Sequence, residues 1–137
     1  MQITPYLSFQ GKCEEAFKMY EKVLKGKITF SMRYSESPMA AQTPANAKDH
    51  IMHTTLQVGD EFIHGADAPP QYYSKPAGLT VSISLNDRKE GERVFNELSQ
   101  GGEVKMPFQK TFWAAGFGMC IDRYGIPWMV NVEEPRG

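Results

Sequence analysis

"LTVSISLNDRKEGERVFNELSQGGEVKMPF", residues 79–108, reads as a strand, a helix and a second strand. Leu79, Val81, Ile83 and Leu85 alternate, the period of a strand with one covered face. Asn86 or Asp87 then offers a side-chain oxygen to the first amides of a helix. Val94, Phe95 and Leu98 follow at helical spacing, and Gly101-Gly102 stands past the helix end. "EVKMPFQKTF" (103–112) returns to a strand pattern broken by Pro107. "GFGMCIDRYGIPWMVNVEE" (116–134) is a hairpin turning at Tyr124-Gly125. The order is β-α-β-β-β.

Working back toward the N-terminus, the same order is met once more. "ITPYLSF" (3–9) alternates Ile3, Leu7 and Phe9 around Pro5. "GKCEEAFKMYEKVLKG" (11–26) places Ala16, Phe17, Tyr20, Val23 and Leu24 on one helical face, with Gly26 as the C-terminal cap. "KITFSMRY" (27–34) is a strand, and "HIMHTTLQVGDEFIHGAD" (50–67) a hairpin turning at Gly59-Asp60. "LSF" (7–9) resembles "ISL" (83–85), Tyr20 and Val23 match Phe95 and Leu98, and "VGDEFI" (58–63) resembles "YGIPWM" (124–129), which sets Trp128 against Phe62. Two copies indicate duplication rather than a solenoid, which needs more repeats. The predicted fold is α+β: one domain of two βαβββ modules, 1–70 and 77–137. A four-stranded sheet with one helix covers a single face, so two such modules are expected to curve a mixed sheet around a cleft suited to a ligand. Residues 35–49 form a long loop without periodicity, the sort of segment that serves as a lid.

Composition narrows the function. The 137 residues are 41% apolar, enough for one core, and a net charge of −1 lacks the basic excess of a nucleic-acid binder. The N-terminus has no secretory pattern and no apolar run approaches the roughly 18–20 residues of a membrane span, so a cytoplasmic protein without a membrane partner is expected. Cys13 and Cys120 stand alone and read as buried small hydrophobes.

"PYLSF.GKCEEAFKMYEKVL", "GAD" followed by prolines, and "QKTFWAAGFG…D.YGIPWMVNV" together resemble the PhnB-like branch of the vicinal-oxygen-chelate superfamily, often labelled 3-demethylubiquinone-9 3-methyltransferase-like. Glyoxalase I, bleomycin-resistance proteins and extradiol dioxygenases belong to the same superfamily. The resemblance implies paired βαβββ modules, homodimers, and in metal-using members about four His or Glu ligands around a Lewis-acidic divalent ion. Carried over, those positions fall on Pro5, Leu79, Met129 and either Ile63 or His64. Three of the four lack a suitable donor, since a thioether suits hard divalent ions poorly. His50 and His53 are read as pointing to opposite faces, with Glu133 and Asp67 as possible substitutes. No metal or other cofactor is therefore expected. The methyltransferase label implies little, because no glycine-rich strand-to-helix turn of a nucleotide-type cofactor site is present.

His64 is the candidate catalytic residue, since an imidazole titrates near neutrality. His64, Phe112, Trp113, Phe117, Met129 and Asn131 are the candidate ligand-binding residues. Asp67 reads as a turn-former, and Trp128, alternating with Val130 and Val132, reads as core. The expected function is binding of a small molecule, as a homodimer, with a degenerate metal site. The alternatives are a metal-dependent lyase, isomerase or dioxygenase with an unusual ligand set, and a drug-sequestering resistance protein.

Overall fold

The computed structural model of the chain describes residues 1–134. They form two compact units that divide between Ser74 and Lys75. The first contains β1 (Tyr6–Phe9), α1 (Cys13–Val23), β2 (Lys27–Arg33), β3 (Ile51–Val58) and β4 (Glu61–Asp67). Its sheet runs β1-β4-β3-β2, with β1 parallel to β4 and the other pairs antiparallel. The second contains β5 (Val81–Leu85), α2 (Arg88–Ser99), β6 (Glu103–Gln109), β7 (Ala114–Ile121) and β8 (Pro127–Glu133), in the equivalent order β5-β8-β7-β6. This is an α+β fold of two four-stranded mixed sheets, each with one helix. Among the described residues no helix is long and apolar enough to cross a membrane.

In each unit the helix covers one face of its sheet. Ala16, Phe17, Tyr20 and Val23 of α1 are buried together with Leu7, Phe9, Leu56 and Ile63. The close approach is made at Gly65, where an added Cβ would lie 2.5 Å from the Phe17 ring. Gly65→Ala is expected to cost about 1–3 kcal/mol of stability by overpacking, and Phe17→Leu in the same chain to restore part of the loss. A urea titration of the two variants checks it. In the second unit Val94, Phe95 and Leu98 of α2 are buried with Trp128, Val130 and Val132. Trp128 is thus core, as its alternation indicated. Asp87 caps α2 by accepting from the amides of Lys89 (3.0 Å) and Glu90 (3.2 Å).

Several local expectations are corrected. The first strand begins at Tyr6, and Ile3 is exposed. Pro5 has no N–H to donate, but its carbonyl accepts from the His64 amide (3.0 Å). Leu79 lies outside β5 and is 79% exposed. At the end of α1 the left-handed residue is Lys25 (φ 55°) rather than Gly26. The Gly26 amide closes the turn onto Glu21 O (3.0 Å), and glycine is required there because a Cβ would stand 2.6 Å from Gln57 O. The segment 35–49 is not structureless: with Tyr34 it winds into three short 3-10 turns. Its two ends are tied together by Tyr34 N–H to His50 O and Ser35 N–H to Lys48 O.

Candidate functional site

The face of the first sheet away from α1 carries a cluster of rings. Register places Tyr6, His64, Thr55 and Phe30 side by side on β1, β4, β3 and β2, with Met32 opposite His53 on the next rung. Phe30 reaches this face because β2 bulges between Ile28 and Phe30. Ile28 pairs with buried Leu56, and the extra residue turns Phe30 to the other side. His53 and His64 meet edge to face at 5.1 Å between ring centroids, and Tyr6 and Phe30 lie 5.6 and 5.9 Å from His53. Ile63 is buried on the α1 side, so His64 is the fourth-strand residue on the open face.

Both nitrogens of His53 are engaged. Nδ1 lies 3.1 Å from the Tyr6 hydroxyl and Nε2 3.4 Å from Thr55 Oγ1. Burial, and after it the neighbouring His64, push the His53 imidazole below its ordinary range, which keeps it neutral at neutral pH. Burial likewise pushes the Tyr6 phenol up. The ring nitrogens of His64, by contrast, make no hydrogen bond among the described residues.

The open face of the second sheet is apolar with polar points. Asn131 lies between Ser84 and Phe117, and Met129 between Ser82 and Met119. Gln109 pairs with Phe117 and Met106 with Met119. The Trp113 ring lies 5.3 Å from that of Phe117, and Trp113 is 46% exposed. Phe117 can face this way because its flanks are glycines: a Cβ on Gly118 would meet Phe95 at 2.7 Å, so β7 presses its glycine side against the α2 layer.

Of the predicted site residues, Trp113, Phe117, Met129 and Asn131 therefore come together on one face. Phe112 reaches it only through its contact with Trp113 (4.7 Å) and is 95% exposed. His64 belongs to the other unit, where its neighbours are His53 and Tyr6. Neither stands among the predicted site residues, since His53 is weighed in the sequence only against His50 and not against His64. His50 precedes β3 and packs beside Gly11.

Asp67 is a structural anchor. It is 2% exposed; Oδ1 accepts from the amides of Gly11 (2.7 Å) and Cys13 (3.0 Å), Oδ2 from that of Ile51 (2.9 Å). Cys13 and Cys120 are buried free thiols, both pushed up in pKa chiefly by burial. Neither resembles a nucleophile. The donor set does not fit a divalent ion of the kind the superfamily uses. Pro5 and Leu79 have no lone-pair side chain, Met129 offers only a thioether, and no three His, Cys, Asp or Glu gather in a metal-binding group among the described residues.

Two βαβββ units with this strand order and an open face on each sheet give a glyoxalase/bleomycin-resistance-like fold. The family model described as 3-demethylubiquinone-9 3-methyltransferase matches residues 1–131, and the chain belongs to that family. It is 33% identical to protein YjdN of Escherichia coli (strain K12), over 99% of this chain and 98% of that one. The crystal structure of protein PA1353 from Pseudomonas aeruginosa is similar at 43% identity with a TM-score of 0.90, covering 98% of this chain and 99% of that one. The PhnB protein from Bacillus cereus, at 23% identity and a TM-score of 0.81 over 96% of this chain and 99% of that one, shares the fold.

Proposed function

We propose that the chain binds a small, largely apolar planar molecule on the open face of its second sheet, against Trp113, Phe117 and Met129, with Asn131 supplying the directional hydrogen bonds. The supporting observation is the Trp113–Phe117 ring contact beside the Met119–Met129 pair. Large apolar side chains grouped around a few polar atoms on the face opposite the helix form the lining expected of a ligand site. Homodimers in a cytoplasmic setting are part of the same reading.

Methyl transfer is less well supported. Both strand-to-helix turns spend their amides on the chain's own carboxylates, Asp67 at α1 and Asp87 at α2. Neither turn is left to cradle a cofactor.

Thermal-shift screening of the whole chain against flat aromatic compounds tests the reading. Hits are expected to lose affinity about tenfold or more on Trp113→Ala, the scale of one lost aromatic contact, and less on Phe112→Ala. If every hit keeps its shift in Trp113→Ala, the ligand does not lie on this face.

A further inference from the structure

Little burial holds the arm that carries Phe112 and Trp113 from β6 into β7. Phe112 is 95% exposed and Trp113 46%. Hydrogen bonds at its two ends, rather than packing, therefore set its direction. At the near end the Thr111 hydroxyl oxygen accepts from the amides of Ala114 (3.0 Å) and Trp113 (3.4 Å), and the Thr111 amide donates to Ala114 O (3.1 Å). This closes a turn around the two rings. At the far end β7 bulges. Ala114 pairs with Glu133 and Gly116 with Val132, so Ala115 is an extra residue without a partner on β8. A bulge re-aims the side chains beside it and leaves the extra residue's carbonyl to find an acceptor role outside the ladder.

Arg88 supplies that role. From the first position of α2, its Nε–H donates to Ala115 O (3.1 Å) across 27 positions of the chain. The same guanidinium pairs with Glu92 (3.0 Å) and lies over the Phe108 ring, 5.3 Å from its centroid. Phe108 stacks on Phe95 at 5.7 Å, and a Cβ added to Gly116 would run into its ring. Arg88 thus touches both the bulge carbonyl and the ring packed against the next residue of β7. An exposed ion pair with Glu92 alone would do little. Three partners of different kinds hold the planar fork in one orientation. Ala115 stands midway in sequence between Trp113 and Phe117, whose rings meet at 5.3 Å with 68° between their planes. A turn of the peptide at Ala115 moves one ring against the other.

We propose that Arg88 is a positioning residue of the second-sheet site: by holding the Ala115 carbonyl it fixes the β7 bulge, and with it the approach of the Trp113 ring to Phe117. That the arm serves a ligand rests on the function proposed above. The control of its geometry by Arg88 does not.

NMR of the whole labelled chain, with 2-naphthol as a flat and largely apolar probe, tests the assignment. Arg88→Met keeps the apolar stem and removes every donor. In that variant the Trp113 indole N–H signal is expected to shift and the ring-to-ring NOEs between Trp113 and Phe117 to be lost. The Trp128 indole, pinned on Asp122 in the same unit, is expected to stay in place, which a general loosening would not allow. Affinity for 2-naphthol should fall about fivefold, the scale of one lost hydrogen bond. Glu92→Gln removes the ion pair but not the carbonyl bond and is expected to match the parent chain in every signal. An unmoved Trp113 signal with intact NOEs in Arg88→Met, equal displacement of Trp113 and Trp128, or the same displacement in Glu92→Gln would each overturn the assignment. Displacement of Trp113 alone, with 2-naphthol binding unchanged or absent, would uphold the role of Arg88 and sink the second-sheet ligand reading, so the two fail separately.

Discussion

Asp67→Ala is expected to lower the unfolding free energy of the first unit by about 3–5 kcal/mol. The carboxylate is buried at the end of β4 and accepts three backbone amides from two other places in the chain, Gly11 and Cys13 before and at the start of α1, and Ile51 at the start of β3. Removing it leaves three donors without their acceptor, those of Cys13 and Ile51 buried and that of Gly11 within reach of water; each buried one costs about 1–3 kcal/mol, with less than full additivity among neighbours. Asp67→Asn separates the effects. Its remaining carbonyl oxygen still accepts from Gly11 and Cys13, but an NH2 group then faces the Ile51 amide, so an intermediate loss is expected. Because the chain has two units, hydrogen exchange is a better readout than one global transition. Protection should fall across the start of α1 and of β3 while β7 and β8 keep theirs. A loss under about 1 kcal/mol with Ile51 still protected would show that the anchor matters little.

The same residue shows how much could be read before the fold was known. Reading Asp67 as a turn-former captured its habit of accepting backbone amides but placed the amides nearby, whereas they lie up to 56 positions away. Local propensity describes what a side chain can do; which amides arrive is decided by the packing of α1 and β3 against β4. His53 is the opposite case, because the information was present. A two-residue turn at Gly59-Asp60 pairs Val58 with Glu61, which sets Thr55 opposite His64. Alternation then places His53, two residues before Thr55, on the same face as His64. Phe30 was beyond reach, since the bulge that turns it over depends on how β2 meets β3 and leaves no mark in the hydrophobic pattern.

The duplication was legible because a helix between alternating segments recurs with its caps. Its finer alignment slipped by one residue. Parallel pairing sets Leu7 beside Gly65 and Ile83 beside Val130, so with Leu7 equivalent to Ile83, Trp128 corresponds to Ile63 and Met129 to His64. One unit thus presents an imidazole where the other presents a thioether, which is why the two open faces differ in chemistry on the same scaffold.

Trp128 leads to the other large effect. Asp122 begins the β7–β8 connection, and Oδ1 accepts from the amides of Tyr124 (2.8 Å) and Ile126 (3.0 Å). Oδ2 accepts from the Trp128 indole N–H (2.8 Å), in a ring with no exposed surface. Asp122→Ala is expected to destabilise the second unit by about 2–4 kcal/mol, through two turn amides and an indole donor left in the core. The indole share can be isolated. In Trp128→Phe the donor is gone but the two turn amides keep their acceptor, so that variant loses ring volume and one hydrogen bond. If the indole bond is as strong as its geometry indicates, Asp122→Ala should cost about 1 kcal/mol less in the Trp128→Phe background than alone. Additive losses across the cycle, measured in urea by the fluorescence of Trp113 (common to all four chains), would mean that the carboxylate serves the turn alone and that the tryptophan is held by packing.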